Sequence, residues 1–178
     1  PIRLFGGEPS SSNYRWVSSQ MKESLPWEEH KDEFSNRIFI SREGCKYRHI
    51  INRDEVNEMI KEYGFEIYRP EKMSLSEQLA LFDGADLIVG PMGGAFSNII
   101  YADDATLIEI LPPDHVHLTW LEVTSALGLT YDFVPGSSKR GSSILSSQPS
   151  IGDFYETRDS DIYVDIDKLG ERIEENAR

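Results

Sequence analysis

Asp86-Leu-Ile-Val-Gly-Pro-Met-Gly-Gly-Ala-Phe-Ser-Asn98 is the stretch from which the rest of the chain can be read. Leu87-Ile88-Val89 is too short an apolar run for a free-standing helix and the right length for a buried strand. Gly90-Pro91 ends the strand, and Gly93-Gly94-Ala95 forms a loop almost bare of side chains. A helix is expected to open near Ala95, with Phe96, Ile99 and Ile100 at helical spacing. A strand, a glycine turn and a helix start, in that order, suit an anion. Glycine lets a phosphate approach the backbone, and a first helical turn presents unpaired N–H groups with partial positive charge. Ser97 and Asn98 add a hydroxyl and an amide to the same turn. A plain strand-to-helix turn would use the same residues, because a glycine pair is a weak motif by itself.

Working outward, Arg37-Ile-Phe-Ile-Ser41 reads as a first strand followed by an Arg- and Lys-rich loop. Asn52, with Glu55 three residues on, has capping-box spacing for a helix whose stripe is Val56, Met59, Ile60 and Tyr63. Gly64 stops that helix; Phe65–Arg69 is a second strand, closed by Pro70. Ser74 and Glu77 make another capping box, Leu75, Leu79 and Phe82 face inward, and Gly84 ends the helix before the third strand. Beyond the glycine turn, Ala105–Leu111 is a fourth strand, Asp114 caps a helix running to about Leu127, and Leu129–Val134 is a fifth strand. Pro135 to Ser150, rich in Ser and Gly and without periodicity, reads as a mobile loop. Asp161–Asp165 is expected as a short last strand and Lys168–Asn176 as a closing helix.

Residues 1–36 read as a lead-in segment and linker, and 37–178 as the domain proper. In the lead-in, Arg15–Leu25 is expected as a helix with Trp16, Val17, Met21 and Leu25 on one side. Pro26-Trp27 and the acidic run to Glu33 look like exposed linker. Strands alternating with helices of about ten residues predict an α/β fold with a parallel sheet flanked by helices. Ligands in such sheets bind beyond the C-terminal strand ends, where neighbouring connections diverge. A strand order of 2-1-3-4-5 would put the loop carrying Arg42 beside the loop carrying Gly93.

The formal net charge of −13 argues against non-specific nucleic-acid binding and against an anionic membrane surface. No apolar run approaches the roughly 20 residues of a membrane span, and no signal peptide is visible. A start at Pro1 points to a chain processed or excised from something longer. The single Cys45 forms no internal disulfide, which fits a reducing compartment and a cytoplasmic location; it has no neighbouring base to make it a nucleophile. A small anionic ligand needs a local basic island, and Arg42-Glu-Gly-Cys-Lys46-Tyr-Arg48-His49 is the candidate.

Arg42 and Arg48 suit bidentate contacts to a diphosphate; a solvated basic loop is the alternative, and Lys46 can simply face water. Glu109, between Ile108 and Ile110, either points opposite to its apolar neighbours or is buried with a partner. It could accept two hydrogen bonds from ribose hydroxyls or form a structural ion pair. His115 and His117 would diverge on a helix, which disfavours a metal between them, and His49, just before a helix, reads as structural. The acidic tail has no EF-hand spacing and reads as a solvated surface.

The run Arg37-Ile-Phe-Ile-Ser-Arg-Glu-Gly-Cys-Lys-Tyr-Arg-His-Ile-Ile-Asn52 resembles the start of the nucleotide-binding half of glycosyltransferase family 61. That group includes capsular-polysaccharide and O-linked N-acetylglucosaminyl- and xylosyltransferases. The resemblance continues through Tyr63–Glu71, Leu75–Phe82, Ala85–Asn98 and Leu107–Leu111, and more weakly through Asp161–Leu169. It implies a Rossmann-like domain forming one half of a GT-B enzyme, transferring sugar with inversion from a nucleotide diphosphate sugar such as a UDP-sugar to a glycan or polysaccharide. It also implies that Ser41, Arg42, Arg48 and the turn Gly93, Gly94, Ala95, Ser97 and Asn98 hold the donor. Glu109 would sit near the nucleoside, and no metal or other cofactor would be required. Two departures stand out. Met92 occupies the position where the family pattern Gly-Pro-His-Gly has His. The acceptor-binding half, which usually supplies the general base, is expected before residue 1 or on a partner.

Overall fold

The computed structural model describes residues 11–113, 115–138 and 159–177. Five parallel strands form one sheet: β1 (Arg37–Ile40), β2 (Glu66–Tyr68), β3 (Leu87–Pro91), β4 (Thr106–Leu111) and β5 (Thr130–Pro135). Their order is β2-β1-β3-β4-β5, the one that sets the first loop beside the glycine turn. Among the described residues five α-helices accompany them: α1 (Ser11–Ser24), α2 (Arg53–Glu62), α3 (Leu75–Asp83), α4 (Thr119–Leu127) and α5 (Ile166–Asn176).

Period-two alternation sorts the strand residues onto two faces. Ile38, Ile40, Ile88 and Leu107 pack with residues of α3 and α4, while Phe39, Leu87, Val89, Ile108 and Ile110 pack with those of α2 and α5. The sheet is therefore buried on both sides, which is why β3 and β4 are buried along their whole length. Gly90 is needed where β3 passes β1: a Cβ there would lie 2.7 Å from the Ile40 carbonyl oxygen.

Helix ends follow sequence signals where the signal is local. Ser74 and Glu77 form the expected capping box on α3, and Gly128 ends α4 in the left-handed conformation. Asn52 is put to a different use. It occupies the N-cap position of α2 without a capping bond. Its amide instead clamps the backbone of Val164, donating to the carbonyl at 2.8 Å and accepting the N–H at 3.0 Å.

Five further expectations are corrected. The segment after the glycine turn is a 3-10 helix, Gly94–Tyr101, which buries Phe96, Asn98, Ile99 and Tyr101. Helix α1 buries Ser18 and packs Tyr14, Met21 and Leu25 on the core, leaving Trp16 64% exposed. Trp27, read as linker, is buried at the start of a 3-10 turn, Trp27–His30. Residues 161–165 form two isolated bridges, Ile50 with Ile162 and Ser137 with Tyr163, and add no strand to the sheet. Helix α4, expected to start at Asp114, begins only at Thr119 with Leu118 in the N-cap position. Asp114 itself and most of the loop expected at 135–150 lie outside the described residues.

Among the described residues no helix is long and apolar enough to cross a membrane.

Candidate functional site

Strand β1 continues through α2 to β2 on one side, and β3 through the 3-10 helix to β4 on the other. Their C-terminal ends diverge at a switch point, which leaves a crevice in a doubly wound sheet. Two clefts open there. One of about 230 Å³ is bounded by Arg42, Cys45, Gln78, Gly93, Ala95 and Phe96. The other, about 630 Å³, lies toward α2 and shares Ser41, Arg42 and Pro91 with the first.

Arg42 connects the two loops. A Cβ on Gly93 would stand 2.5 Å from Arg42 Nη1 and 3.5 Å from Cζ, so the guanidinium lies directly against the glycine. Gly93 has φ of −172°, which any residue adopts; a side chain here would have to displace the flexible end of Arg42. The Nε and Nη2 groups of Arg42 each approach the Tyr47 carbonyl at 3.4 Å, at the long end for hydrogen bonds. Ser41 Oγ accepts the Glu43 N–H at 3.1 Å, which turns the chain away from the strand.

Arg48 reaches the glycine turn from the far end of the same loop, donating from Nη1 to the Met92 carbonyl at 2.9 Å. Its backbone has φ of 62°, in the left-handed region that a non-glycine residue seldom enters. His49 ties the loop down through Nδ1 to Asp161 at 3.0 Å and Nε2 to the Cys45 carbonyl at 2.8 Å. Met92 itself is 5% exposed and donates its N–H to the Ile110 carbonyl.

In the turn, the first bond of the 3-10 helix runs from Phe96 N–H to the Gly93 carbonyl. The N–H groups of Gly94 and Ala95 therefore precede any acceptor within the segment. Gly94 and Ser97 are exposed and Ala95 is half-buried. Asn98 is turned inward, donating from Nδ2 to Gln78 Oε1 of α3 at 2.9 Å.

Glu109 is also turned inward. It lies on β4 in register with Gly90 of β3 and Phe133 of β5, and is 0% exposed. Tyr131 donates its hydroxyl to Oε2 at 2.7 Å, while Oε1 has no hydrogen-bond partner among the described residues. Burial pushes the Glu109 carboxyl up to about 7, against the opposing pull of the Tyr131 hydrogen bond and the Arg48 charge. Burial and the neighbouring carboxylate push the Tyr131 phenol up as well.

Ser41, Arg42, Arg48 and the turn Gly93–Ser97 thus come together at one edge, with Asn98 and Glu109 beneath it. Two neighbours join them: Arg69, which the sequence already puts at this edge, and Tyr131, which sequence reasoning missed. Arg69, at the end of β2, packs so that a Cβ on Gly44 would meet its Nη2 at 2.5 Å. Tyr131 completes the Glu109 pair; its side of the sheet follows from alternation, but its proximity follows only from strand register. His115 and His117, expected to diverge on a helix, precede α4, and their rings stack with centroids 6.2 Å apart.

The fold and this edge define a doubly wound α/β domain with guanidinium groups and a glycine turn at its switch point. The family model of glycosyltransferase 61 matches residues 5–108, and the chain belongs to that family. The match takes in α1 and the turn at Trp27 as well as the sheet as far as the first half of β4. No curated protein matches the chain. Family membership makes it a glycosyltransferase domain, with a sugar donor and an acceptor as the partners of the reaction.

Proposed function

We propose that this domain binds the donor, a nucleotide diphosphate sugar such as a UDP-sugar, for an inverting transfer to a glycan or polysaccharide acceptor. The observation that carries this reading is Arg42 lying on Gly93, which brings a cation to the turn where the N–H groups of Gly94 and Ala95 open the 3-10 helix. Arg42 takes the diphosphate from the side of β1, and the glycine turn takes it from the side of β3. Ser41 and Ser97 add hydroxyl donors at the rim, and Arg48 supplies a second positive charge from its place on the Met92 carbonyl. In the transfer, an acceptor hydroxyl oxygen forms a bond to the anomeric carbon while the bond from that carbon to the diphosphate breaks. The hydroxyl proton passes to a general base carried by the acceptor-binding half. Negative charge grows on the leaving diphosphate, and prearranged cations and N–H groups stabilise it without a metal.

A second reading is a non-catalytic nucleotide-sugar binder. The burial of Met92 favours it, because a thioether at this position can neither donate a strong hydrogen bond to phosphate nor carry a proton.

Titration calorimetry with UDP and UDP-sugars tests both readings: absence of heat at millimolar ligand removes them together. Turnover of donor by the full-length protein separates the enzyme from the binder.

A further inference from the structure

Glu109 fits poorly as a direct ligand contact. It is wholly buried, and Tyr131 occupies one of its two carboxyl oxygens. Yet it lies one residue from Ile110, whose carbonyl holds the Met92 N–H, and the Met92 carbonyl in turn holds Arg48. Glu109 is thus joined to the turn through the backbone of its neighbour Ile110, and its carboxylate feels the charge of Arg48, which holds the Met92 carbonyl.

We propose that Glu109 is a positioning residue for the glycine turn, and that the site takes up one proton from solvent as it takes up the diphosphate. In the empty site, ionised Glu109 draws on the charge of Arg48. When the diphosphate arrives, Arg48 turns its charge to the ligand, the carboxylate loses its compensation, and Oε1 or Oε2 is protonated. This inference rests on the donor-binding reading above and adds the proton to it.

The surroundings leave few other groups that could take that role. Tyr131 faces Glu109 from β5 and Arg48 bears on it from the loop after β1; β3 presents Gly90 at the register position. The elements packed on this face bring Phe96, Ile99 and Val123 to the core. Glu43, Cys45, His49 and Glu71 line the two clefts at the rim of this edge, and His115 is buried beyond the end of β4. Burial pushes Glu109 up to about 7, so its charge is in play at neutral pH. Linkage then makes the two effects reciprocal: a ligand that favours the protonated form binds more weakly as pH rises.

The test is calorimetric titration of the full chain with UDP-N-acetylglucosamine, whose diphosphate diester does not itself titrate near neutral pH. The titration is repeated in buffers of different ionisation heat. The expected result is uptake of up to about half a proton per donor at pH 7, with affinity about three- to tenfold weaker at pH 8 than at pH 6. Glu109→Gln should abolish the uptake and flatten the pH dependence. Tyr131→Phe removes a hydrogen bond that favours the carboxylate, so it should move the uptake to higher pH. His115→Gln should leave the uptake in place. Donor binding without proton uptake, or uptake that survives Glu109→Gln or disappears with His115→Gln, overturns the proposal. No donor binding at any pH overturns instead the donor-site reading on which it stands.

Discussion

The guanidinium of Arg42 rests on the α-carbon of Gly93, so close that a single added carbon on the glycine would stand 2.5 Å from Nη1. This contact joins the loop after β1 to the turn after β3, segments about fifty residues apart in the chain. The joint is cationic on one side and bare backbone on the other, as an anion site requires.

Arg42→Ala should weaken UDP binding by about 1.5–3 kcal/mol, the range for a lost hydrogen bond to a charged group. Calorimetry measures this directly. An affinity equal to that of the parent would remove Arg42 from the site.

Gly93→Ala and Gly90→Ala should separate binding from stability. At Gly93 the new methyl meets the end of a flexible side chain, so Arg42 is displaced and donor affinity drops while the unfolding midpoint hardly moves. At Gly90 the methyl meets the Ile40 backbone at 2.7 Å, and overpacking should cost about 1–3 kcal/mol. Denaturant unfolding alongside UDP titration reads both; equal stability losses in the two variants would contradict the contrast.

Glu109→Gln should stabilise the protein at alkaline pH and have little effect in acid. The folded carboxyl is raised from 4.5 to about 7, so below 4.5 it is neutral in both the folded and unfolded states and costs nothing. Between those values the folded chain keeps a proton that the unfolded chain releases, and stability falls as pH rises. Above 7 the full penalty applies, about 3 kcal/mol at roughly 1.4 kcal/mol per pH unit. Unfolding midpoints of parent and variant should therefore coincide at pH 4 and differ most at pH 8.

Met92→His introduces the residue that the resemblance implies at a position that is 5% exposed and bonded through its backbone to Arg48 and Ile110. Donor affinity or turnover should rise. The melting temperature should fall, because an imidazole replaces a buried thioether. Unchanged binding and turnover would show that Met92 makes no difference to the site.

Much of the domain was legible because its signals are local. Short apolar runs mark all five strands, every one but β1 closed by Gly or Pro, and Ser74 with Glu77 marks the start of α3. Helix α1 was misread for an equally physical reason. Trp16 and Val17 are its most apolar pair, but Tyr14, Ser18, Met21 and Leu25 share the spacing that meets the core. Asn52 was read as a cap because its spacing to Glu55 is right, yet Val164, far along the chain, offers its amide both a donor and an acceptor.

By itself the sequence determined the strand–helix alternation, the parallel sheet and the edge at which Arg42 and the glycine turn belong, since periodicity, capping and turn chemistry act over a few residues. The tertiary structure alone decided that Arg42 lies on Gly93, that Arg48 holds Met92, and that Glu109 pairs with Tyr131 out of contact with solvent. Those relationships depend on strand order and register, which bring distant segments within hydrogen-bonding reach and exclude water between them.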